Sequence, residues 1–186
     1  MVAVPTTSVT AEQRVKVGTT YNFAVLAGTT ITNAGTTSIN GSIGLFPGTA
    51  FTGQEGVEVN GNVQLAQAAA LQAKNDLITA YNDADDRQNA KRIPTELGGT
   101  TLTPGTYDSA SGTFEITGNL TLDAQGDPNA VFIFKTASTL VTASGSSVTP
   151  INKAQMCQTF WKVGSSATLG TNSYIVGHIV ALTSIT

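Results

Sequence analysis

The chain has 186 residues, enough for one domain with a substantial core. Only 11% of them are charged, against about 25% in an ordinary globular domain, and 30 threonines with 19 glycines take up the difference. Nine basic and twelve acidic residues give a net charge of -3 with no basic cluster, which argues against nucleic acid as a partner, and a single cysteine excludes an internal disulfide or a cysteine zinc site.

Threonine favours strands and glycine supports tight corners, so a mainly β protein is expected. No apolar run approaches the ~20 residues of a membrane span, and no membrane partner is expected. Residues 1–17 read as a polar leader, strand-like from Arg14, without the basic start and apolar stretch of a secretory signal. The chain is then either cytosolic or a mature, secreted form whose leader has been removed, and the second is the expectation.

Residues 21–52 hold strands broken at Asn33-Ala34-Gly35, Asn40-Gly41 and Pro47-Gly48. The texture then changes to alanine, leucine and glutamine. Ala66, Ala69, Ala70, Ala73, Leu77, Ala80, Tyr81 and Ala84 recur at helical spacing, which predicts one long amphipathic helix over about 62–90. An asparagine of Asn60-Gly61-Asn62 is placed to cap it, and it must finish before Pro94. Its alanine-rich stripe suits close approach to a flat sheet face. From Leu97 onward turn signals return every eight to twelve residues, as at Pro104-Gly105, Thr117-Gly118-Asn119 and Gly126-Asp127-Pro128, with short strands between them. Segments 22–26, 130–134, 159–163 and 174–180 are the most continuously apolar, which implies burial on both faces. Phe132 and Phe134 are expected in a core, with Val131 and Ile133 meeting the helix.

Apolar strands alternate with strands of small residues and threonine: AVLAGTTIT at 24–32, FKTASTLVT at 134–142, VGSSATLGT at 163–171 and VALTSIT at 180–186. A repeat of about 18–29 residues with irregular lengths suits the stacked coils of a β-solenoid better than a propeller. Aligned on Thr32, Thr139, Thr168 and Thr186, these strands place Thr30, Ala137, Ser166 and Ser184 two residues earlier, and strand alternation puts each pair on one outward face. Aligning Leu122 with Leu140 adds Thr121. The expected face is a lattice of hydroxyls and methyls without charge.

Other chemistry is sparse. Cys157, with no accompanying histidine or carboxylate motif, reads as a buried small hydrophobe. The acidic run at 82–86 lacks the glycine and glutamate of an EF-hand and reads as a solvated helix end. His178, the sole histidine, reads as a packed or edge residue. Asp108, Glu115, Asp123 and Asp127, with only Lys135 as a basic neighbour, do not gather into the acid–base groove that a polysaccharide lyase or hydrolase needs. Neither an enzyme, a metal nor a cofactor is expected. A flat adhesive or structural module that binds glycan, a surface or its own kind stays open as the alternative reading.

The chain resembles the microbial ice-binding protein family from about Tyr21 to Thr186. The resemblance rests on YNFAVLAGTTITNAG (21–35), INGSIGLFPGTAFTG (39–53), the alanine-rich helix after VNGNV, GTTLTPGTYDSAS (99–111), ITGNLTLDAQGDPNAVFIFKTASTL (116–140) and CQTFWKVGSSATLGTNSYIVGHIVALTSIT (157–186). It implies a right-handed, discontinuous parallel β-solenoid of triangular cross-section with one long α-helix packed alongside. The whole chain is then a single such domain, expected as a monomer whose partner is an ice crystal surface. Some members carry a loose motif of threonine, alanine or glycine, any residue, then threonine or asparagine, which Thr136-Ala137-Ser138-Thr139 matches. The implied ice-binding set is thus Thr30, Thr32, Thr121, Thr136, Ala137, Thr139, Ser166, Thr168, Ser184 and Thr186. Family members usually continue past ALTSIT with further coils, so missing C-terminal coils are expected.

Overall fold

The computed structural model describes residues 12–33 and 35–186. The polar leader lies outside the described residues as far as residue 11, as does Ala34 of the first predicted turn. The strand expected from Arg14 does not form. Val15 and Val17 are buried on irregular backbone, and Gly18 at φ 55° turns the chain into a 3-10 helix, Gly18–Asn22. Contacts group the chain into two compact units, Lys16–Asp83 on one side and Ala84–Thr186 with the segment ending at Val15 on the other.

In the larger unit the chain winds through three parallel sheets in rotation. Lys91–Ile93, Gly105–Ser109, Phe132–Thr136, Thr159–Val163 and His178–Ala181 build a five-stranded sheet in chain order. Phe114–Ile116, Leu140–Thr142, Ser166–Leu169 and Ser184–Ile185 build a four-stranded sheet, and Thr101–Leu102, Asn119–Asp123 and Ser147–Ile151 a three-stranded one. Each coil visits all three in turn, which makes a three-sided β-solenoid. Coil lengths are unequal: more residues separate Tyr107, Phe134 and Trp161, which stand opposite one another, than separate Trp161 from its partner Ile179.

Side-chain alternation explains the core. Phe132, Phe134, Trp161 and Val163 point into it from the five-stranded sheet, Phe114, Ile116, Leu140 and Ala167 from the four-stranded sheet, and Leu120, Leu122 and Val148 from the third. Phe134 stacks on Trp161 at 4.0 Å and on Tyr107 at 5.5 Å, one ring per coil. The Trp161 indole donates to the Val176 carbonyl at 2.9 Å, which satisfies a buried donor. Thr159–Val163 is buried throughout, as its largely apolar and aromatic character predicts, with Lys162 the one buried charge in it. Ile133 and Phe160, on the sheet's other side, are buried as well.

The smaller unit repeats the three-sided plan over two coils. Phe23–Ala27, Ser42–Leu45 and Val63–Leu65 form one parallel sheet, Thr30–Thr32 pairs with Ala50–Thr52, and Thr37–Asn40 with Val57–Asn60. The helix is Ala68–Asp85, shorter than the predicted 62–90. Alternation, not helical periodicity, governs Val63–Leu65, whose apolar residues pair with Ile43 and Leu45. Ala66 then takes φ 51° and ends the strand. Asn62 does not cap the helix; its carbonyl accepts the Ile43 amide at 2.8 Å. The predicted stripe is otherwise buried at Ala70, Ala73, Ala80 and Ala84, while Ala66 and Ala69 are exposed. Asp76 accepts the Thr19 hydroxyl and amide and the Gln72 amide, which hold its carboxyl below the usual value. At the helix end, the Lys135 ammonium donates to the carbonyls of Asp85 and Arg87 at 2.7 and 3.0 Å, and Lys162 pairs with the Asp85 carboxylate at 2.7 Å. These cations sit where the last carbonyls of a helix lack partners.

Candidate functional site

The outward side of the four-stranded sheet carries two ranks fixed by the ladder. Leu140 stands opposite Ala167, so Thr139 stands opposite Ser166, and Ser166 opposite Ser184. The same register puts Thr113 beside Thr139, with their hydroxyls 3.2 Å apart, and the Ser184 hydroxyl donates to that of Ser166 at 3.0 Å. The second rank is Glu115, Val141, Thr168 and Thr186, all exposed. Strand spacing separates neighbours in a rank by about 4.8 Å, and the two ranks lie about 6.7 Å apart along the strands.

This register differs by two residues from the alignment on threonines, which set Thr139 opposite Thr168. A two-residue slide keeps the same side chains outward, so alternation alone does not choose between the registers; the ladder pairs Leu140 with Ala167 and Val141 with Thr168. The four-stranded sheet thus brings together Thr139, Ser166, Thr168, Ser184 and Thr186. It does not include Thr136, which is 2% exposed in the five-stranded sheet and donates its hydroxyl to the Gly112 carbonyl. Ala137 is exposed at the corner that follows. Nor does it include Thr121, which lies in the three-stranded sheet opposite Thr101 and Thr149. Leu122 and Leu140 are both core residues, but they enter the core from different sides.

The three-stranded sheet has its own hydroxyl rank of Thr101, Thr121 and Thr149, of which the last two are joined through Asn119. Ser147 and Thr149 both donate to the Asn119 side-chain carbonyl, at 2.8 and 2.6 Å, and the Asn119 amide donates to the Thr121 hydroxyl at 2.9 Å. By contrast, the hydroxyls of Thr168 and Thr186 have no hydrogen-bond partner among the described residues. In the smaller unit Thr30 and Thr32 are exposed on either side of the half-buried Ile31, opposite Ala50 and Thr52.

The expected absence of charge fails at one place. Glu115 is exposed in the second rank, one strand from Val141. Glu96 bridges to Glu115 one coil earlier, and its carboxylate accepts the amides of Gly98 and Thr117 at 2.5 and 2.9 Å. Partial burial pushes the Glu96 carboxyl up, but these amide hydrogen bonds outweigh it and leave the group below its usual value. Thr113 and Thr149 were missed because no threonine-rich run surrounds them, and Thr101 and Thr52 because they fall outside the four aligned strands. The polar–apolar alternation of Thr113-Phe114-Glu115-Ile116 is the signal that could have found the first.

Two other expectations change. Cys157 is exposed, because it falls in the short turn Met156–Gln158 that stands off the core before Thr159–Val163 begins. His178 is half-buried beside Phe160 as an edge residue, and its Nε2 is buried without a hydrogen-bond partner among the described residues. Burial, then the positive charge of Arg14, holds its pKa below the usual 6.5. Among the described residues no cluster of histidine, cysteine and carboxylates could hold a metal ion.

A parallel β-solenoid interrupted by one helix, with flat hydroxyl-bearing faces, is the class of protein that this geometry defines. The Ice-binding-like family model matches residues 25–186, and the chain belongs to that family. An ice-binding protein of Nostoc sp. (strain HG1) is 47% identical over 170 residues, covering 91% of this chain and 62% of that protein. One from Flavobacterium frigoris (strain PS1) is 32% identical over 189 residues, covering 92% of this chain and 66% of that protein. The chain therefore spans less than two thirds of the length of either relative. Among solved structures, an ice-binding protein from an Antarctic biological consortium superposes with a TM-score of 0.92 at 40% identity, covering 98% of this chain and 83% of that one. The ice-binding protein of the Antarctic ascomycete Antarctomyces psychrotrophicus gives 0.87 at 34% identity, covering 91% and 83%.

Proposed function

We propose that this protein binds ice through the outward side of the four-stranded sheet, with Thr139, Ser166, Thr168, Ser184 and Thr186 as contacts. The observation that carries the choice of face is hydrogen bonding. Among the described residues the Thr168 and Thr186 hydroxyls have no hydrogen-bond partner, and those of Thr139 and Ser166 bond only to the neighbouring hydroxyls of their own rank, whereas Thr121, Ser147 and Thr149 of the three-stranded sheet all converge on the Asn119 side chain. A free hydroxyl holds a surface water, and the methyl on the same stiff stem shapes the waters beside it. Ranks at about 4.8 Å present such waters at a spacing close to one in the ice lattice. Each contact is worth only about 1 kcal/mol net, since liquid water competes for it, so adsorption depends on many in register.

Adsorbed molecules force ice to grow as curved fronts between them, which lowers the local freezing point and blocks recrystallisation. The protein then acts without chemistry, as a binding protein outside the cell, and as a monomer. The pair Thr30 and Thr32, with Ala50 and Thr52, is a further candidate patch of the same kind in the smaller unit. The alternative, an adhesive module for glycan or for its own kind, predicts indifference to ice. Thr168→Tyr tests the reading: it places a bulky ring in the middle of the second rank without touching the core. The expected result is wild-type circular dichroism with crystal shaping and thermal hysteresis lost. Wild-type hysteresis in the folded variant would remove this face from the account.

A further inference from the structure

The second rank is not uniform. It runs from Thr186 and Thr168 to Val141 and then meets Glu115. Val141 keeps the shape of a threonine and loses only the hydroxyl, so the lattice survives there in outline. Glu115 is different in kind. Its neighbour in the preceding coil, Glu96, has its carboxylate tied to backbone amides, but the Glu115 carboxylate has no hydrogen bond or ion pair among the described residues. An exposed carboxylate keeps a tightly held, disordered hydration shell, because removing water from an unpaired charge is costly. Ice cannot merge with that shell.

We propose that Glu115 sets the boundary of the ice-contact surface: the four-stranded sheet adsorbs through its last three strands, and the carboxylate stops the ordered water layer short of the first. This rests on the ice-binding reading of the same face. It makes Glu115 a residue that limits activity, so replacing it should increase function. Position 115 already has strand geometry and an outward side chain between buried Phe114 and Ile116, so a threonine there would join the rank without repacking.

The test compares thermal hysteresis and crystal shape at equal molarity for the wild type, Glu115→Thr, Glu115→Ser, Glu115→Lys and Thr168→Tyr, with folding checked by circular dichroism and thermal unfolding. Glu115→Thr is expected to raise hysteresis about twofold or more, since one further hydrogen-bonding position is worth several-fold in an equilibrium constant. Glu115→Ser should give a smaller rise. Glu115→Lys keeps a hydrated charge and should give none, which separates removal of the charge from mere loss of the glutamate. An active wild type with Thr168→Tyr inactive, and with folded Glu115→Thr and Glu115→Ser both no better than wild type, would overturn the boundary and leave the ice-binding face standing. An equal gain from Glu115→Lys would also overturn it. A folded wild type that does not shape ice would instead overturn the ice-binding reading itself.

Discussion

Phe134 is the residue on which the stacking of the coils most depends. It is 1% exposed, lies between Trp161 at 4.0 Å and Tyr107 at 5.5 Å, and meets the edge of Phe114 at 6.0 Å. Phe134→Ala opens a cavity that neighbouring rings cannot fill, since each is fixed by its own strand. Truncating a buried phenylalanine costs about 3–5 kcal/mol, and loss of three aromatic contacts puts this site near the upper end. For a chain of this length each kcal/mol lowers the melting temperature by about 2–4 °C, so a fall of about 8–20 °C follows. Phe134→Leu keeps most of the apolar volume and should lose about half as much. Urea unfolding followed through Trp161, the sole tryptophan, reads the stack directly. A loss below about 1 kcal/mol for Phe134→Ala, or equal losses for alanine and leucine, would refute the argument that the ring stack holds successive coils together.

Two further outcomes follow from single side chains. His178 is held below its ordinary 6.5 by burial and by Arg14, so the unfolded chain takes up its proton at a higher pH than the folded one. Stability from this group is therefore complete above about pH 6.5, declines as the pH falls below it, and levels off under the folded-state pKa; His178→Gln should flatten that part of a stability–pH curve measured by thermal melts. The Cys157 thiol, exposed in its turn, should react fully with a thiol reagent in the native protein, and Cys157→Ser should leave the melting temperature unchanged; a thiol that reacts only after denaturation would contradict the fold at that corner.

What was legible in the sequence is what burial on two faces makes legible. Thr159–Val163 and Phe132–Thr136 announce themselves through their aromatic and branched apolar residues because these central strands are buried on both sides, apart from half-buried Lys135. The helix was legible through Ala70, Ala73, Ala80 and Ala84, but its start was not. Val63-Gln64-Leu65 fits a helix by composition and a strand by alternation, and only pairing with Ser42–Leu45 chooses between them. The face was half legible. Threonines identify strands with an outward hydroxyl side, yet registers two residues apart put the same side chains outward, so the pairing of Thr168 with Val141 and not Thr139 was not legible. Thr121 shows the same limit from another side: alternation places it outward, but nothing local says on which of three faces.

The central claim is that the four-stranded face, and not the three-stranded one, meets ice. Cys157 lies in the connection between Ser147–Ile151 and Thr159–Val163, at the corner opposite the four-stranded sheet, so a fluorophore coupled there reports adsorption without blocking that face. The measurement is the fluorescence pattern on a single-crystal ice hemisphere grown in labelled wild type, Thr168→Tyr or Thr121→Tyr. The account predicts bright, defined patches for the wild type and Thr121→Tyr and a dark hemisphere for Thr168→Tyr. Patches that persist with Thr168→Tyr and vanish with Thr121→Tyr would contradict it and move the ice contact to the three-stranded sheet.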